Sequence, residues 1–352
     1  MKILAINPGS TSTKIGLFEG STEVFEKTLR HSVEELAQYA RVADQKEFRK
    51  AAILLALAEN GVSPADLTAI ACRGGACNPV EGGTYNVDEK LVADLVDAQI
   101  QHPANLASII GKELADENGI KAFFTDAPVT YELSELAAFS GHKEIKRKGR
   151  FHALNQKAIA RKFAEENGKK YDDVNVIVCH MGGGITVGAH KAGRTVDATD
   201  AISEGPFTPE RCGDLPTREL IDLCYSGQFT HADMKGFIQG KGGVFSYTGT
   251  IDMRDVEEQA QAGDTNAKEV TDAMAYQVSK QIAAMSAVFN GKVDGILLTG
   301  GIAYSKYITA EIAKRVEFIA PVKVYPGEVE LEALVLGALR VLTGEETAKT
   351  YA

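Results

Sequence analysis

The same order of predicted elements occurs twice in this chain of 352 residues. Each copy has a short apolar strand, a polar or glycine-rich turn, a second strand, a tight turn and a third strand. The strands are predicted at residues 3–6, 15–18 and 22–29 in the first copy, and at 174–179, 185–190 and 194–199 in the second. Because helical patterns alternate with these strands, we expect an α/β chain with two domains built on one plan.

The turn of the first hairpin offers many donors to a compact anion. Residues 7–14 read Asn-Pro-Gly-Ser-Thr-Ser-Thr-Lys, which places an amide, four hydroxyls and Lys14 at one tip. Phosphate is the ligand that such a tip suits best. The P-loop spacing is absent, and a strand follows the turn instead of a helix. An ordinary hairpin is the alternative, since Asn-Pro-Gly is a common turn former.

Helix signals and further strands complete the pattern. Ser32 with Glu35 forms a capping-box pattern that predicts a helical region up to about residue 60, with Gly61 as its stop. Further helices are predicted at 88–101, 104–118, about 265–290, 305–317 and about 330–342, and further strands at 68–72, 121–125 and 293–298.

Composition narrows the class of protein. The net charge of −10 argues against a nucleic-acid partner, and anionic substrates would therefore need local arginines and lysines. The longest apolar candidate, residues 51–58, is too short to cross a membrane, and the first residues do not read as a signal peptide. Five cysteines without metal-ligand spacing predict reduced thiols in the cytoplasm.

Nine short motifs carry a resemblance that covers essentially the whole chain. They are NPGSTSTK at 7–14, CRGG at 72–75, TDAP at 125–128, GRFHALN at 149–155, HMGGG at 180–184, PERCGD at 209–214, IDMR at 251–254, TGGIAYS at 299–305 and PGEVELEAL at 326–334. With these motifs in this order, the chain resembles the acetate and sugar kinase, Hsp70 and actin superfamily. Within that superfamily it is similar to the acetokinase family, the carboxylate kinases that make acyl phosphates.

The resemblance implies a fold and a division of the chain. We expect two actin-like (ribonuclease H-like) domains, with ATP bound in the cleft between them. The first domain would comprise residues 1–130, with the C-terminal helix at 331–352 packing back on it. The second would comprise residues 131–330 and bind adenosine. The family also implies a homodimer or a higher homo-oligomer that acts on small molecules, without a nucleic-acid or membrane partner.

The same resemblance implies the site residues, with ATP and Mg²⁺ as cofactors. Catalytic roles fall on Arg73, Asp126, His152 and Arg211. The nucleotide would contact Asn7, Ser10, Ser12, Lys14, His180, Gly182, Gly183, Gly184, Asp252, Met253, Arg254, Gly300, Gly301, Ile302 and Ala303. Mg²⁺ would be framed by Asn7 and Glu330, with Glu328 as the alternative to Glu330. His102 matches a further family histidine, and His180 is expected to orient its turn.

The chemistry of acyl phosphate formation explains these roles. A carboxylic acid is already ionised at neutral pH, so it needs no general base, and Asp126 is expected to position another group instead. The barrier is repulsion between two anions, which guanidinium groups at positions 73 and 211 would offset. Taken alone, each arginine would read as a surface charge or a helix-capping partner, and His152 as a core histidine.

Departures from the family pattern favour one substrate. Acetate kinases usually carry Asn-Gly where this chain has Gly183-Gly184, and a His before the glycines that follow Arg73. These differences favour the branch that phosphorylates butyrate; acetate, propionate and branched acids are the alternatives. A non-kinase actin-like ATPase, a sugar kinase and a sugar-kinase-derived repressor fit less well. A sugar kinase would use an aspartate base, and a repressor would need a DNA-binding segment before the first strand.

Overall fold

The computed structural model describes residues 1–352, which form two compact units. One unit comprises Met1–Tyr131 together with Val329–Ala352, and the other comprises Glu132–Glu328. The strands are β1 (Lys2–Pro8), β2 (Ser12–Glu19), β3 (Thr22–Arg30), β4 (Ala69–Arg73), β5 (Thr84–Asn86), β6 (Lys121–Thr125), β7 (Val176–Met181), β8 (Ile185–Lys191), β9 (Arg194–Ala198), β10 (Gly295–Gly300) and β11 (Val322–Pro326).

The helices are mostly short and amphipathic. They are α1 (Val33–Leu36), α2 (Lys46–Glu59), α3 (Glu89–Val96), α4 (Asn105–Asn118), α5 (Ala153–Glu166), α6 (Thr217–Cys224), α7 (His231–Ile238), α8 (Gly243–Thr248), α9 (Met253–Gln261), α10 (Thr265–Ser286), α11 (Lys306–Val316) and α12 (Glu330–Leu342). None of them is both long enough and apolar enough to span a bilayer.

The predicted repeat is confirmed by the order of the strands. The first sheet has the order β3-β2-β1-β4-β6-β5, and the second has the order β11-β10-β7-β8-β9. In each sheet the first strand of the copy pairs antiparallel with the second and parallel with a strand that follows later in the chain. The residues at 3–6 and 176–181 are fully buried, as expected for central strands covered on both faces.

Two predicted helices are shorter than expected. The capping box at Ser32 and Glu35 is present, but α1 ends after one turn and α2 starts only at Lys46. Between them Arg41 N donates to Asp44 Oδ2 at 3.0 Å, and this contact caps a separate 3-10 turn at Val42–Gln45. The helix predicted at 88–101 ends at Val96, and Asn105 Nδ2 donates to Leu95 O in its last turn at 3.3 Å and to Ile100 O beyond it at 3.2 Å.

The first unit is completed by the last helix of the chain. Buried Leu331, Leu334 and Ala338 lie on one side of α12, which packs on β1, β4 and β6. A helix with an apolar stripe of this kind is stabilised by burial against a sheet rather than by its own propensity. The helix predicted at 330–342 is therefore confirmed, and it places Glu330 in the same unit as Asn7.

Candidate active site

The turn between β1 and β2 presents hydroxyl groups at the tip of the first hairpin. Gly9 N donates to Ser12 O at 2.8 Å and closes the turn. Ser10 is exposed and Ser12 is half-buried. Lys14 Nζ lies 2.9 Å from Glu26 Oε1, and both side chains are well exposed. Because a solvated ion pair of this kind is weak, Lys14 is able to exchange Glu26 for an anionic ligand.

Three polar side chains meet where β1 and β4 end. The two strands are parallel and align Ile6 with Cys72, so Asn7 and Arg73 follow at the same edge of the sheet. Arg73 Nη1 lies 2.9 Å from Glu330 Oε1, and Asn7 Nδ2 donates to Glu330 Oε2 at 2.6 Å. The structure therefore brings together two predicted metal ligands and one predicted catalytic arginine.

The donor set around Glu330 suits Mg²⁺. This ion prefers oxygen ligands and is usually held by one or two carboxylates together with substrate phosphates and water. Asn7 and Glu330 carry an amide oxygen and a carboxylate, which are ligand types of that kind, although the contact between them here runs through the Asn7 amide nitrogen. No three His, Cys, Asp or Glu side chains cluster as an all-protein metal cage would require. Glu328 belongs to the second unit, where its Oε1 lies 3.6 Å from His180 Nε2.

Two other predicted residues of the first unit contact backbone. Asp126 follows β6 with a φ of +42°, and its Oδ1 accepts a hydrogen bond from Gly83 N at 2.8 Å. This buried carboxylate therefore ties the end of β6 to the loop before β5, and its backbone has a conformation that few side-chain-bearing residues adopt. His102 Nδ1 accepts from Ala104 N at 3.1 Å, and burial together with the positive charge of Arg73 lowers the pKa of His102.

In the second unit, Arg211 packs directly on the glycine turn between β7 and β8. Gly182 N donates to Gly184 O at 3.0 Å, which makes the turn tight. A Cβ added at Gly184 would lie only 2.4 Å from Arg211 Nη1, whereas one added at Gly183 would meet nothing closer than 3.7 Å. The absence of a side chain at position 184 is therefore what allows the guanidinium to reach the turn.

The guanidinium of Arg211 is held on one side only. Nη1 donates to Ala201 O at 2.8 Å and Nη2 lies 3.4 Å from Glu210 Oε1, while Nε is buried and has no hydrogen-bond partner. A buried donor without a partner is uncommon and indicates a place for a ligand acceptor. Thr208, which lies just outside the motif at 209–214, was not predicted as a site residue; it donates to Gly183 O at 2.7 Å and accepts from Arg211 N at 3.1 Å.

The two predicted histidines form a stacked pair. The ring centroids of His152 and His180 are 4.0 Å apart, with 18° between the ring planes. His152 Nδ1 lies 2.8 Å from Thr186 Oγ1, and His180 Nδ1 lies 2.9 Å from Asn155 Oδ1. His180 also neighbours Glu328, as described above, and is buried, whereas His152 is partly exposed. His152 is therefore the member of the pair that a ligand can reach.

A cleft of about 890 Å³ lies beside the glycine turn in the second unit. This volume is in the range of small-molecule sites. Seven predicted nucleotide-binding residues line it: Gly182, Gly183, Asp252, Met253, Arg254, Gly301 and Ile302. Gly300 and Ala303 do not line the cleft; Gly300 has a φ of +91° and packs on the carbonyl of Met181, and Ala303 is buried.

The walls of this cleft differ in chemistry. Ile251, Met253 and Tyr304 give it an apolar side, which suits a flat aromatic base. The Arg254 guanidinium and backbone N–H lower the pKa of Asp252 to about 2, so that carboxylate is ionised at neutral pH. An ionised carboxylate is an acceptor for hydroxyl groups. The cleft thus combines an apolar surface with an ionised carboxylate at its rim.

Solved structures with the same fold cover almost the whole chain. The crystal structure of Porphyromonas gingivalis acetate kinase matches with a TM-score of 0.79 and 19% identity, over 97% of this chain and 99% of that one. A propionate kinase from Francisella tularensis matches with a TM-score of 0.74 and 18% identity, over 96% and 98% of the two chains. The two units therefore have the actin-like α/β fold of these kinases.

Sequence comparison identifies relatives of this chain at much higher identity than those solved structures. The chain is 50% identical to a probable butyrate kinase of Clostridium botulinum and 49% identical to butyrate kinase 2 of Clostridium acetobutylicum, in each case over 99% of both chains. The model of the acetokinase family matches residues 122–324. The chain belongs to the acetokinase family.

Proposed function

We propose that this chain is a butyrate kinase, which transfers the γ-phosphoryl group of ATP to butyrate and gives butyryl phosphate and ADP, reversibly. The observation that carries the proposal is the 49–50% identity to butyrate kinases over 99% of each chain. The contacts of Arg73 with Glu330, and of Arg211 with Ala201 and the Gly184 turn, support this proposal.

The reaction is a direct displacement at phosphorus. A carboxylate oxygen of butyrate forms the new bond to the γ-phosphorus, while the bond to the bridging oxygen of ADP breaks and ADP leaves with that electron pair. No proton is transferred, because the acid is ionised before it binds. The work of the protein is therefore to align the two anions and to offset their repulsion.

Guanidinium groups perform the electrostatic part. Arg211 has a buried Nε without a partner, and a small movement of its side chain would let the guanidinium donate to an oxygen of the phosphoryl group or of the carboxylate. Arg73 is held by Glu330, which orients it and leaves its other nitrogens for a ligand. His152 would add a hydrogen bond to the transferred group. That Arg73 and Arg211 act on the same phosphoryl group stays a prediction.

The two turns would bind the phosphates. The hydroxyls and Lys14 of the β1–β2 turn and the backbone N–H groups of Gly182–Gly184 are suitable donors. In the cleft, adenine would lie against Met253 and Ile302, and the ribose hydroxyls would donate to Asp252. Asn7 and Glu330 would hold Mg²⁺, which when bound neutralises part of the phosphate charge.

Trapping of the product tests the proposal. The purified protein is incubated with Mg²⁺, ATP, hydroxylamine and one acid from the C2 to C6 series, and the acyl hydroxamate is measured. We expect the highest kcat/KM with butyrate, and about a fourfold loss for each methylene removed, since a buried methylene is worth about 0.8 kcal/mol. A higher kcat/KM with acetate or propionate than with butyrate would show that the proposed substrate is wrong. ATP hydrolysis without hydroxamate would indicate an actin-like ATPase instead.

A cytoplasmic location and a homodimer are part of the same proposal. All five cysteines are free thiols, which is typical of a reducing compartment. Light scattering coupled to gel filtration would give the oligomeric state; a monomeric mass at the concentration used in the assay would contradict the dimer.

A further inference from the structure

Arg49 lies directly behind the β1–β2 turn. It belongs to α2, and its side chain is among the largest in the chain with no exposed surface. Nη1 donates to Gly9 O at 2.9 Å and to Ser12 O at 2.8 Å, and Nη2 donates to Ser10 O at 3.0 Å. One guanidinium therefore holds three carbonyl oxygens of the turn, which no local signal in the sequence suggests.

The remaining contacts fix both the guanidinium and the turn. Arg49 Nη1 also donates to Thr13 Oγ1 at 3.1 Å, and Nε donates to Gln45 Oε1 at 3.1 Å. The fourth carbonyl of the turn, Thr11 O, accepts from His31 N at 2.9 Å. All four carbonyls at residues 9–12 are thus bound to donors of the protein. Carbonyl oxygens repel anions, so binding them inside leaves the outer side of the turn to N–H and hydroxyl groups.

The charge of Arg49 has no carboxylate partner. Its acceptors are carbonyl, hydroxyl and amide oxygens, and burying a cation in such surroundings is costly. Burial lowers the pKa of Arg49 to about 10, which still leaves it charged at neutral pH. Burial and the Arg49 charge also lower the pKa of His31. The region beneath the turn therefore carries a positive charge that an anion bound to the turn would balance.

We propose that Arg49 is a positioning residue for phosphate binding: it turns the carbonyls of residues 9, 10 and 12 away from the ligand and supplies a buried positive charge behind the turn. The inference rests on the proposed function in one respect, namely that the β1–β2 turn binds phosphate groups of ATP. It adds a residue outside the nine motifs to the phosphate site, and it assigns that residue no contact with the substrate.

The test compares substitutions at two neighbouring positions of α2, Arg49 and Lys50. Arg49→Lys keeps the charge but loses the planar fork, and Lys50→Met removes a buried cation that contacts Glu113 and Glu117 instead of the turn. Dissociation constants for ATP and for adenosine are measured calorimetrically. We expect Arg49→Lys to weaken ATP binding about tenfold, with adenosine unaffected. We expect Lys50→Met to lower stability without changing either constant.

A second variant covers the case that Arg49→Lys does not fold. Gln45→Leu removes the acceptor that orients Nε and leaves the charge in place, and we expect it to weaken ATP binding about threefold. Equal ATP affinity in wild type and in every folded variant would overturn the role of Arg49. Equal weakening of ATP and adenosine would also overturn it, because that result indicates general loss of structure. A wild-type protein that binds no ATP would instead overturn the proposed function.

Discussion

Arg73 and Arg211 are each held through only part of the guanidinium. Arg73 Nη1 forms an ion pair with Glu330, while Arg211 Nη1 donates to Ala201 O and its Nη2 lies 3.4 Å from Glu210 Oε1, so that the buried Nε has no partner. A guanidinium fixed by one edge keeps its other donors in a plane, which matches the two oxygens of a carboxylate or a phosphoryl group. Lysine offers a single point charge and cannot reproduce that geometry.

Replacement of either arginine by lysine tests this difference. We expect Arg73→Lys and Arg211→Lys each to lower kcat/KM for acyl phosphate formation roughly 10³-fold, because a contact to the transferred group is lost in the transition state. The assay is hydroxamate trapping, with circular dichroism as a check on folding. Arg218→Lys, at an exposed position of α6, is the matched control. If kcat/KM falls less than tenfold in a folded variant, the substituted arginine does not have the catalytic role proposed for it.

Asp126 allows a sharper comparison of two substitutions. Asn keeps an oxygen that accepts from Gly83 N, and it tolerates a positive φ better than most residues. Ala loses both properties. We therefore expect Asp126→Asn to retain measurable kcat and Asp126→Ala to lose at least tenfold more, with a lower melting temperature. Equal and complete loss of kcat in both variants would contradict a positioning role.

The Mg²⁺ dependence of activity distinguishes between Glu330 and Glu328 as the metal ligand. Glu330 contacts Asn7 and Arg73, while Glu328 neighbours His180. We expect Glu330→Gln to raise the Mg²⁺ concentration for half-maximal rate at least tenfold, since a carboxylate ligand is lost. Glu328→Gln is expected to leave that concentration within about twofold of wild type. The reverse order of the two effects would assign the metal to Glu328.

At the scale of elements, we expect the β7–β8 turn to tolerate a side chain at Gly183 but not at Gly184. The Cβ of Gly184→Ala would collide with Arg211, whereas that of Gly183→Ala meets only ordinary contacts. We expect Gly184→Ala to lower kcat at least tenfold more than Gly183→Ala, with similar melting temperatures, because the clash moves a flexible side chain rather than the core. Steady-state kinetics and thermal melts of both variants check this. Equal kinetics would show that Arg211 has another way to reach its ligand.

The same elements show what the sequence predicts well. Strands β1 to β4 and β6 to β10 were predicted, because their apolar runs are bounded by clear turns, as at residues 7–9 and 182–184. Strands β5 and β11 were missed, because the first has only three residues and the second is poorly buried. The break between α1 and α2 contains a 3-10 turn capped by the side chain of Asp44, which the periodicity of apolar residues does not predict.

At the scale of the whole molecule, buried thiols make stability fall at alkaline pH. Burial raises the pKa of the Cys72 and Cys179 thiols above their ordinary range, and that of Cys77 to about 11. The unfolded chain loses these protons from its ordinary pKa of 9.0 upward, while the folded chain still holds them. The free energy of unfolding is therefore unaffected below that pH and decreases above it, by about 1 kcal/mol per pH unit for each thiol.

Urea unfolding at pH 8, 9, 10 and 10.5 measures this effect. The variant Cys77→Ala removes one of the three thiols and is expected to show a shallower decrease between pH 9 and 10.5. A wild-type stability that stays constant over this range would contradict the burial of the three groups.

Residues of the candidate site could be predicted from the sequence only where they belong to one of the motifs. Asn7, Glu330 and Arg73 were expected from the family resemblance, and the structure places them in one group. Arg49 and Thr208 were not expected, because their roles arise from carbonyl contacts that follow from tertiary packing. Such contacts correspond to no recognisable spacing or composition in the sequence, and they are seen only in the folded structure.

The return of α12 to the first sheet sets an order for biosynthesis. Strands β1 to β6 leave the ribosome early, but Glu330 is made only after residues 132–328, which take about 10–40 seconds at common translation speeds. Until then the nascent first sheet has a bare apolar face and an arginine without its acidic neighbour. Nascent chains are therefore exposed to chaperones for that interval, and they acquire the complete group of Asn7, Arg73 and Glu330 only as synthesis ends.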